Sequence, residues 1–251
     1  MGRYTTSSAV IANFLPAVDL TGLPAAFRAS IATQLDNVYI PMAEDFLDDE
    51  FGQTLAETTR TDVCLDGANT LEICLPNFPI KTVTSARVVS GFETPQVTFQ
   101  NIRHLASKWL GLPQDAVGAT ADLIVDRDSG MISIDQNGSA VAAALSTGGY
   151  PPWPGDFPRA SRNIRVSYIH GFPAGSIPID VQNAAGMFAA AFVAAMAASR
   201  TTAGANRVRI GSVDKSFGDQ LGARAYPMMD AVWQKMIEKA VSSWSVKPLA
   251  N

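Results

Sequence analysis

Two histidines, two cysteines and two acidic clusters are the side chains of this 251-residue chain whose types could carry chemistry. His170 could act as the general base of a hydrolase, a role that needs a nucleophile within hydrogen-bond reach. The spacing forces no serine, cysteine or carboxylate beside it, so a strand histidine ahead of a turn is the simpler reading. His104 carries no motif. Cys64 and Cys74 stand too far apart for a zinc knuckle. Their apolar surroundings suit reduced core thiols, and one pair makes no disulfide framework. Asp126-Arg127-Asp128-Ser129-Gly130 is similar to the start of a calcium loop, which would make a calcium- or ligand-binding module around Asp126 and Asp128. It lacks the later ligands and the terminal glutamate, so a β-turn is expected. Asp45, Asp48, Asp49 and Glu50 crowd one stretch without ordered ligand spacing, the mark of a solvated acidic helix face. No phosphate-binding glycine loop, dinucleotide fingerprint, nucleophile elbow or zinc motif is present. The residues call for no catalytic group, no metal and no cofactor.

Composition narrows the classes further. Hydrophobic residues make up 47% and charged residues 17%, ample material for a core in one large domain or two small ones. The formal charge is −4 and the pI about 5.2. That balance lacks the basic footprint of tight nucleic-acid binding. The N-terminus shows neither a signal-peptide pattern nor a membrane-spanning run, and no membrane partner is expected.

The elements that must position these groups centre on residues 163–198. Ile164, Val166, Tyr168 and His170 alternate with Arg165, Ser167 and Ile169, the period of a strand. Gly171, Pro173 and Gly175 break it, and one of the two glycines is expected at positive φ. Pro178 suits a helix start, and Asp180 meets the positive end of the helix dipole. The alanine-rich run that follows, about 15 residues, is short of the ~20 that span a bilayer and suits a close-packed core helix. Its Ala184, Ala185, Gly186, Ala190, Ala191, Ala194 and Ala195 imply close helix approach.

Before this stretch, residues 1–22 read as extended or loop. Phe27, Ile31 and Leu35 predict a helix, and Met42, Phe46 and Leu47 a second piece broken or started by Pro41 and capped by Gly52. Two alternations, Val63–Leu65 and Leu71–Ile73–Leu75, flank a turn at 66–69, and Ile80 to Val89 resume as strand. Residues 93–121 are less regular, with a short helix expected before Gly111. Leu123–Val125 and Ile132–Ile134 predict a hairpin. Residues 137–162 read as a loop pinned by Trp153 and Phe157. Residues 207–222 look like an exposed crossing segment. A last helix over about 228–243 presents Met229, Val232, Trp233, Met236, Ile237 and Ala240 on one face. Trp244 to Asn251 then form a short tail with two large apolar side chains and no periodicity to bury them.

Taken in series, four phrases carry a resemblance. They are Asp66-Gly67 with Leu71, Ile73, Leu75, Pro76, Pro79, Ile80 and Val83; the Asp126–Gly130 hairpin; Phe157 to Val166; and Tyr168, Gly171, Phe172, Ile177, Pro178, Asp180 and Val181. Gly211 to Phe217 matches more loosely. In this order they resemble the head–tail connector (adaptor, or head-completion) proteins of tailed bacteriophages and phage-like particles. The resemblance implies an α+β fold, with a helical bundle from residues 20–58 and 177–243, a β-rich subdomain inserted at 59–176, and a C-terminal arm at 244–251. It implies a structural, non-enzymatic virion protein at the neck, made in the host cytoplasm. Such proteins form a ring, usually of twelve copies, beneath the portal protein. The ring extends the channel for double-stranded DNA, which passes without sequence-specific binding, and offers a platform to a stopper or tail-completion protein. The arm, with Trp244, Val246, Lys247, Pro248 and Leu249, would dock on the portal. Gly171, Gly175, Pro178 and Asp180 would form the joint.

Overall fold

The computed structural model describes residues 2–17, 20–21, 23–89, 95–116, 121–135, 156–201, 207–210, 213–216 and 227–245. Helices and sheets are both present, an α+β fold. The chain forms two compact units, Met1–Gln53 with Ile177–Asn251, and Thr54–Ser176.

The first unit is helical. Its helices are α1 (Ser7–Asn13), α2 (Ala25–Ala29), α3 (Ile31–Gln34), α4 (Ile40–Phe51), α5 (Ile179–Thr201) and α6 (Pro227–Trp244). The N-terminal residues are not the loop their polar composition suggests. The Thr6 hydroxyl accepts from the Ala9 amide at 3.2 Å and caps α1, and Tyr4, Val10 and Leu15 are buried. Pro41 stands in the first turn of α4, the start expected of it. A π-helical turn at Leu35–Tyr39 precedes it, and the helix continues through α4. Proline lacks an N–H and its ring crowds the carbonyl one turn back, which a wider turn accommodates. Gly52 ends α4 at φ 70°, its N–H reaching the Asp49 carbonyl.

Helix α5 is longer than the apolar run suggests, at 23 residues. By length and composition its Ile179–Ala197 stretch could cross a bilayer, yet half of it is buried within the protein, as in a core helix. Val181, Ala184, Ala185, Phe188, Ala189, Ala190 and Val193 are buried. Ala191, Ala194 and Ala195 are only half-buried, so close approach is confined to part of the alanine set. At Gly186 an added Cβ would lie 2.4 Å from the Phe14 ring. The rings of Phe46 and Phe188 stack with centroids 4.8 Å apart. Residues 207–216 are not a simple crossing segment, because β9 (Arg207–Ile210) and β10 (Val213–Ser216) pair as an antiparallel hairpin. Gly211, Ser212 and Phe217 lie outside the described residues. On α6, Ala240 and Trp244 are buried while Met236 is 42% exposed, so Met236 stands off the face the periodicity assigned it.

The second unit is a two-layer β structure. Its strands are β1 (Thr58–Gly67), β2 (Glu72–Cys74), β3 (Ile80–Val89), β4 (Pro95–Phe99), β5 (Ile102–His104), β6 (Leu123–Asp126), β7 (Met131–Ile134) and β8 (Ala160–His170). One sheet runs β1-β8-β3-β4 and the other β2-β7-β6-β5. The strands flanking residues 66–69 therefore go to different sheets rather than pairing as a hairpin. Ile80, Val83, Ala86, Val88, Ile164, Val166 and Tyr168 of the first sheet bury against Leu123, Val125, Ile132 and Ile134 of the second. The period-2 alternation of β8 does this directly, since every second side chain faces the core. Residues 93–121 hold no helix among the described residues; they supply β4 and β5, the latter parallel to β6. Phe157 is buried and Thr70 bridges to it, whereas Trp153 lies outside the described residues.

Overpacking should follow this burial pattern. Ala190→Leu inserts three heavy atoms into a fully buried position and should lower the unfolding free energy by about 1–3 kcal/mol. Ala191→Leu, at a half-buried position, should cost clearly less. Chemical denaturation of the pair reads the difference, and equal costs would refute the asymmetry.

Candidate functional site

The joint at the end of β8 is set by backbone geometry. Gly171 takes φ +89°, and a Cβ there would lie 2.4 Å from the Ala56 carbonyl oxygen. The Gly171 amide donates to the Pro79 carbonyl at 2.8 Å, the Phe172 amide to Leu55 at 2.7 Å, and the Glu57 amide to Phe172 at 2.9 Å. The segment that opens this unit and the segment that closes it are thus hydrogen-bonded side by side. Gly175 also takes positive φ, +85°, but in open space. Only Gly171 is barred from a side chain by both conformation and contact.

In the helical unit the Pro178 carbonyl accepts the Gln182 amide at 3.0 Å as α5 begins. Asp180 accepts the Val181 amide at 3.0 Å with Oδ1 and the Trp244 indole N–H at 3.2 Å with Oδ2. Trp244 is not the exposed anchor of a tail. It is the last residue of α6, it is 4% exposed, and its carbonyl accepts from Gln53 Nε2. The amphipathic period of α6 continues one step further than the sequence reading took it, from Ala240 to Trp244. Two residues given separate roles, joint and arm, therefore meet in one contact. Val246, Lys247, Pro248 and Leu249 lie outside the described residues.

His170 is fully buried, and neither ring nitrogen has a hydrogen-bond partner among the described residues. Burial, aided by the charge of Arg60, pushes its pKa down to about 4. It is neither satisfied nor half-exposed. Its neighbour Tyr168 donates its hydroxyl to Asn77 Oδ1 at 2.8 Å, and burial pushes its pKa up to about 12 against the opposing charge of Arg60.

The other histidine sits in a network that no motif announced. His104 Nδ1 meets Asp115 Oδ2 at 2.8 Å, while Nε2 accepts the Val83 amide at 2.8 Å. Arg127, 7% exposed, donates to the carbonyls of Lys81, Leu105 and Pro113 and to Asp115 Oδ1. Partial burial works against the charged Asp115 carboxyl, but hydrogen bonds from the His104 backbone and ring, with the Arg127 charge, hold it below the ordinary carboxylate range. The Asp–His alignment is that of a hydrolase, but the nitrogen that would take a nucleophile's proton is occupied by the Val83 amide. The network instead pins the 105–116 segment.

The Asp126–Gly130 turn closes on itself. Asp126 accepts from the Asp128 amide and the Ser129 hydroxyl, and Asp128 accepts from Ser107 and the Lys108 amide. Gly130 supplies φ +72°. No group of three or more His, Cys, Asp or Glu gathers as a metal site among the described residues. Cys64 and Cys74 are free and half-buried. Cys64 is not in apolar surroundings: the Arg165 guanidinium contacts its sulfur, and Arg162 lies 3.7 Å away. The acidic stretch of α4 is only partly solvated. Arg3 bridges Asp45 and Asp48, both at 2.7 Å, and buried Glu44 accepts the Tyr4 amide.

No family model matches the sequence, and no curated protein matches it. Among solved structures, the chain is similar to one from "Virion of native gene transfer agent (GTA) particle", at 17% identity and TM-score 0.41, covering 98% of this chain and 95% of that one. It is also similar to a chain of "Neck of empty GTA particle computed with C6 symmetry", at 14% identity and TM-score 0.41, covering 93% and 95%. A third, from "Neck of native GTA particle computed with C12 symmetry", has 17% identity and TM-score 0.40, covering 93% and 94%.

Two outcomes follow from the buried polar groups. His170 binds its proton more weakly folded, at about 4, than unfolded, at about 6.5. The unfolded chain therefore gains protons first, and stability falls as pH drops from about 6.5 towards 4, by of order 2–3 kcal/mol. The denaturation midpoint of wild type should fall relative to that of His170→Leu as pH drops through this range; parallel curves would contradict it. Arg127→Met should leave the Lys81, Leu105 and Pro113 carbonyls without their donor and cost about 1–3 kcal/mol. Limited proteolysis should then cut within residues 105–116, and continued resistance there would show that the network does not hold the segment.

Proposed function

We propose that this chain is a ring-forming head–tail adaptor, a structural protein of the virion neck made in the host cytoplasm. It docks beneath a portal protein, extends the channel through which double-stranded DNA passes without sequence-specific binding, and offers a platform to a stopper or tail protein. The ring has twelve copies in this reading, and the role needs no catalysis, metal or cofactor.

The observation that carries the reading is the joint. Gly171 has a geometric necessity at the end of β8, and Pro178 and Asp180 organise the start of α5. These are residues of the phrase that resembles the connector family, and their geometry supports reading that phrase as a structural junction. The insertion of a β-rich unit between two stretches of a helical one agrees with what that resemblance implies. Among the described residues neither ring nitrogen of His170 is hydrogen-bonded to a nucleophile, and the carboxylates of Asp126 and Asp128 accept protein hydrogen bonds.

The portal-docking arm shortens to residues 246–251, because Trp244 belongs to the α6 packing. Deleting 246–251 should leave circular dichroism and the melting curve unchanged and abolish incorporation into portal-containing particles. Incorporation of the truncated chain at wild-type level would remove the arm from the interface. Absence of the full-length chain from such particles would sink the adaptor reading altogether.

A further inference from the structure

The outward face of the first sheet gathers the arginines Arg87, Arg162 and Arg165. Across β1, β8, β3 and β4, Cys64, Arg165, Arg87 and Thr98 stand in one cross-strand row. Like charges placed directly opposite on neighbouring strands repel. Arg165 and Arg87 are so placed, and the guanidinium of Arg162 reaches towards the same Cys64 sulfur. Asp62 pairs with Arg87 at 3.1 Å, and Asp66 accepts from the Arg162 amide and the Ser161 hydroxyl. The Arg87 Nε is buried and has no acceptor among the described residues. Ser167 and half-buried Ile169 continue the face along β8.

Helix α4 carries the opposite charge. Glu44, Asp45, Asp48, Asp49 and Glu50 lie along it, and Arg3 pairs with the first three. Asp49 is exposed and has no partner among the described residues. Met42, 48% exposed, lies on the same helical face at i, i+3, i+7 with Asp45 and Asp49.

We propose that the arginine face of one copy (Arg87, Arg162, Arg165) docks on the acidic face of α4 of a second copy (Asp45, Asp49, Glu50). The inference rests on the ring reading and gives it an interface. A ring needs a heterologous contact, two different patches that complement each other, and each copy here carries both halves. A polyanionic nucleic acid fits this face less well. Asp62 and Asp66 lie among the arginines and would repel phosphates, and exposed Met42 beside the carboxylates is a protein-contact feature. Charge complementarity of this kind fixes register and excludes wrong partners.

Charge reversal on the full-length chain tests this, with circular dichroism confirming the fold of each variant. Wild type should self-associate in sedimentation velocity, more weakly at high salt. Arg87→Glu with Arg165→Glu should weaken association by about an order of magnitude or more, and so should Asp49→Lys with Glu50→Lys. Mixing the two variants should restore it, since each then meets an opposite charge on both sides. If the Arg87 and Arg165 variant fails to fold, exposed Arg162→Glu replaces it in the mixture. Variants that associate like wild type would overturn this interface and leave the ring reading standing. Reversal that abolishes the gel shift of a DNA duplex but not association would make the face a phosphate site and overturn the proposal. A wild-type chain that stays monomeric at every concentration would overturn the ring reading and the interface with it.

Discussion

The β-rich unit is closed where it opens. The amide of Phe172 reaches Leu55, the amide of Glu57 reaches back to Phe172, and Gly171 lies against the Ala56 carbonyl where no Cβ fits. That clasp fixes where β8 ends. With β8 fixed, the register of β1 and β3 on either side follows, because both pair with it: Thr58 and Ile80 each stand opposite His170. A shift of one residue would turn every core side chain of β8 outward. The burial of Ile164, Val166 and Tyr168 is therefore a consequence of the clasp as much as of their own hydrophobicity.

Polar groups enter this unit in two distinct ways. The His104–Asp115–Arg127 set is satisfied, each buried donor or acceptor meeting a partner, and so it specifies one conformation of the 105–116 segment. His170 is buried without a partner and can stay there only as the neutral ring. One arrangement positions a segment, and the other ties stability to pH. Neither assembles the nucleophile, base and orienting group that hydrolysis would require.

What could be read from the sequence was whatever local periodicity and turn chemistry determine. The β8 alternation, the β6–β7 hairpin with Gly130, the Gly52 cap and the start of α5 at Pro178 are short-range features, and the sequence displays them. What it hid depends on partners far along the chain. Residues 2–5 look like a polar leader, but Arg3 and Tyr4 are held by α4 some forty residues away. His104, Asp115 and Arg127 have no motif spacing and meet only because β5 lies parallel to β6. Trp244 looked unburied because its partners lie far back along the chain, Asp180 by 64 residues and Gln53 by 191. Alternation revealed strands on either side of residues 66–69, but not that they join different sheets.

The clasp also bears on the order of events when the chain folds. The helical unit is assembled from two stretches separated by residues 54–176. Joining them across an unfolded spacer of that length means closing a loop on the order of 100 residues. If the β-rich unit folds first, its stitched ends shorten the effective loop to ~10 residues, a saving of about 2 kcal/mol in closure entropy. The Leu55–Phe172 and Glu57–Phe172 hydrogen bonds thus act as a splice in the chain. They let α5 meet α4 as if the insertion were a short connection, and they favour a sequence in which the interior segment is completed before the helices around it.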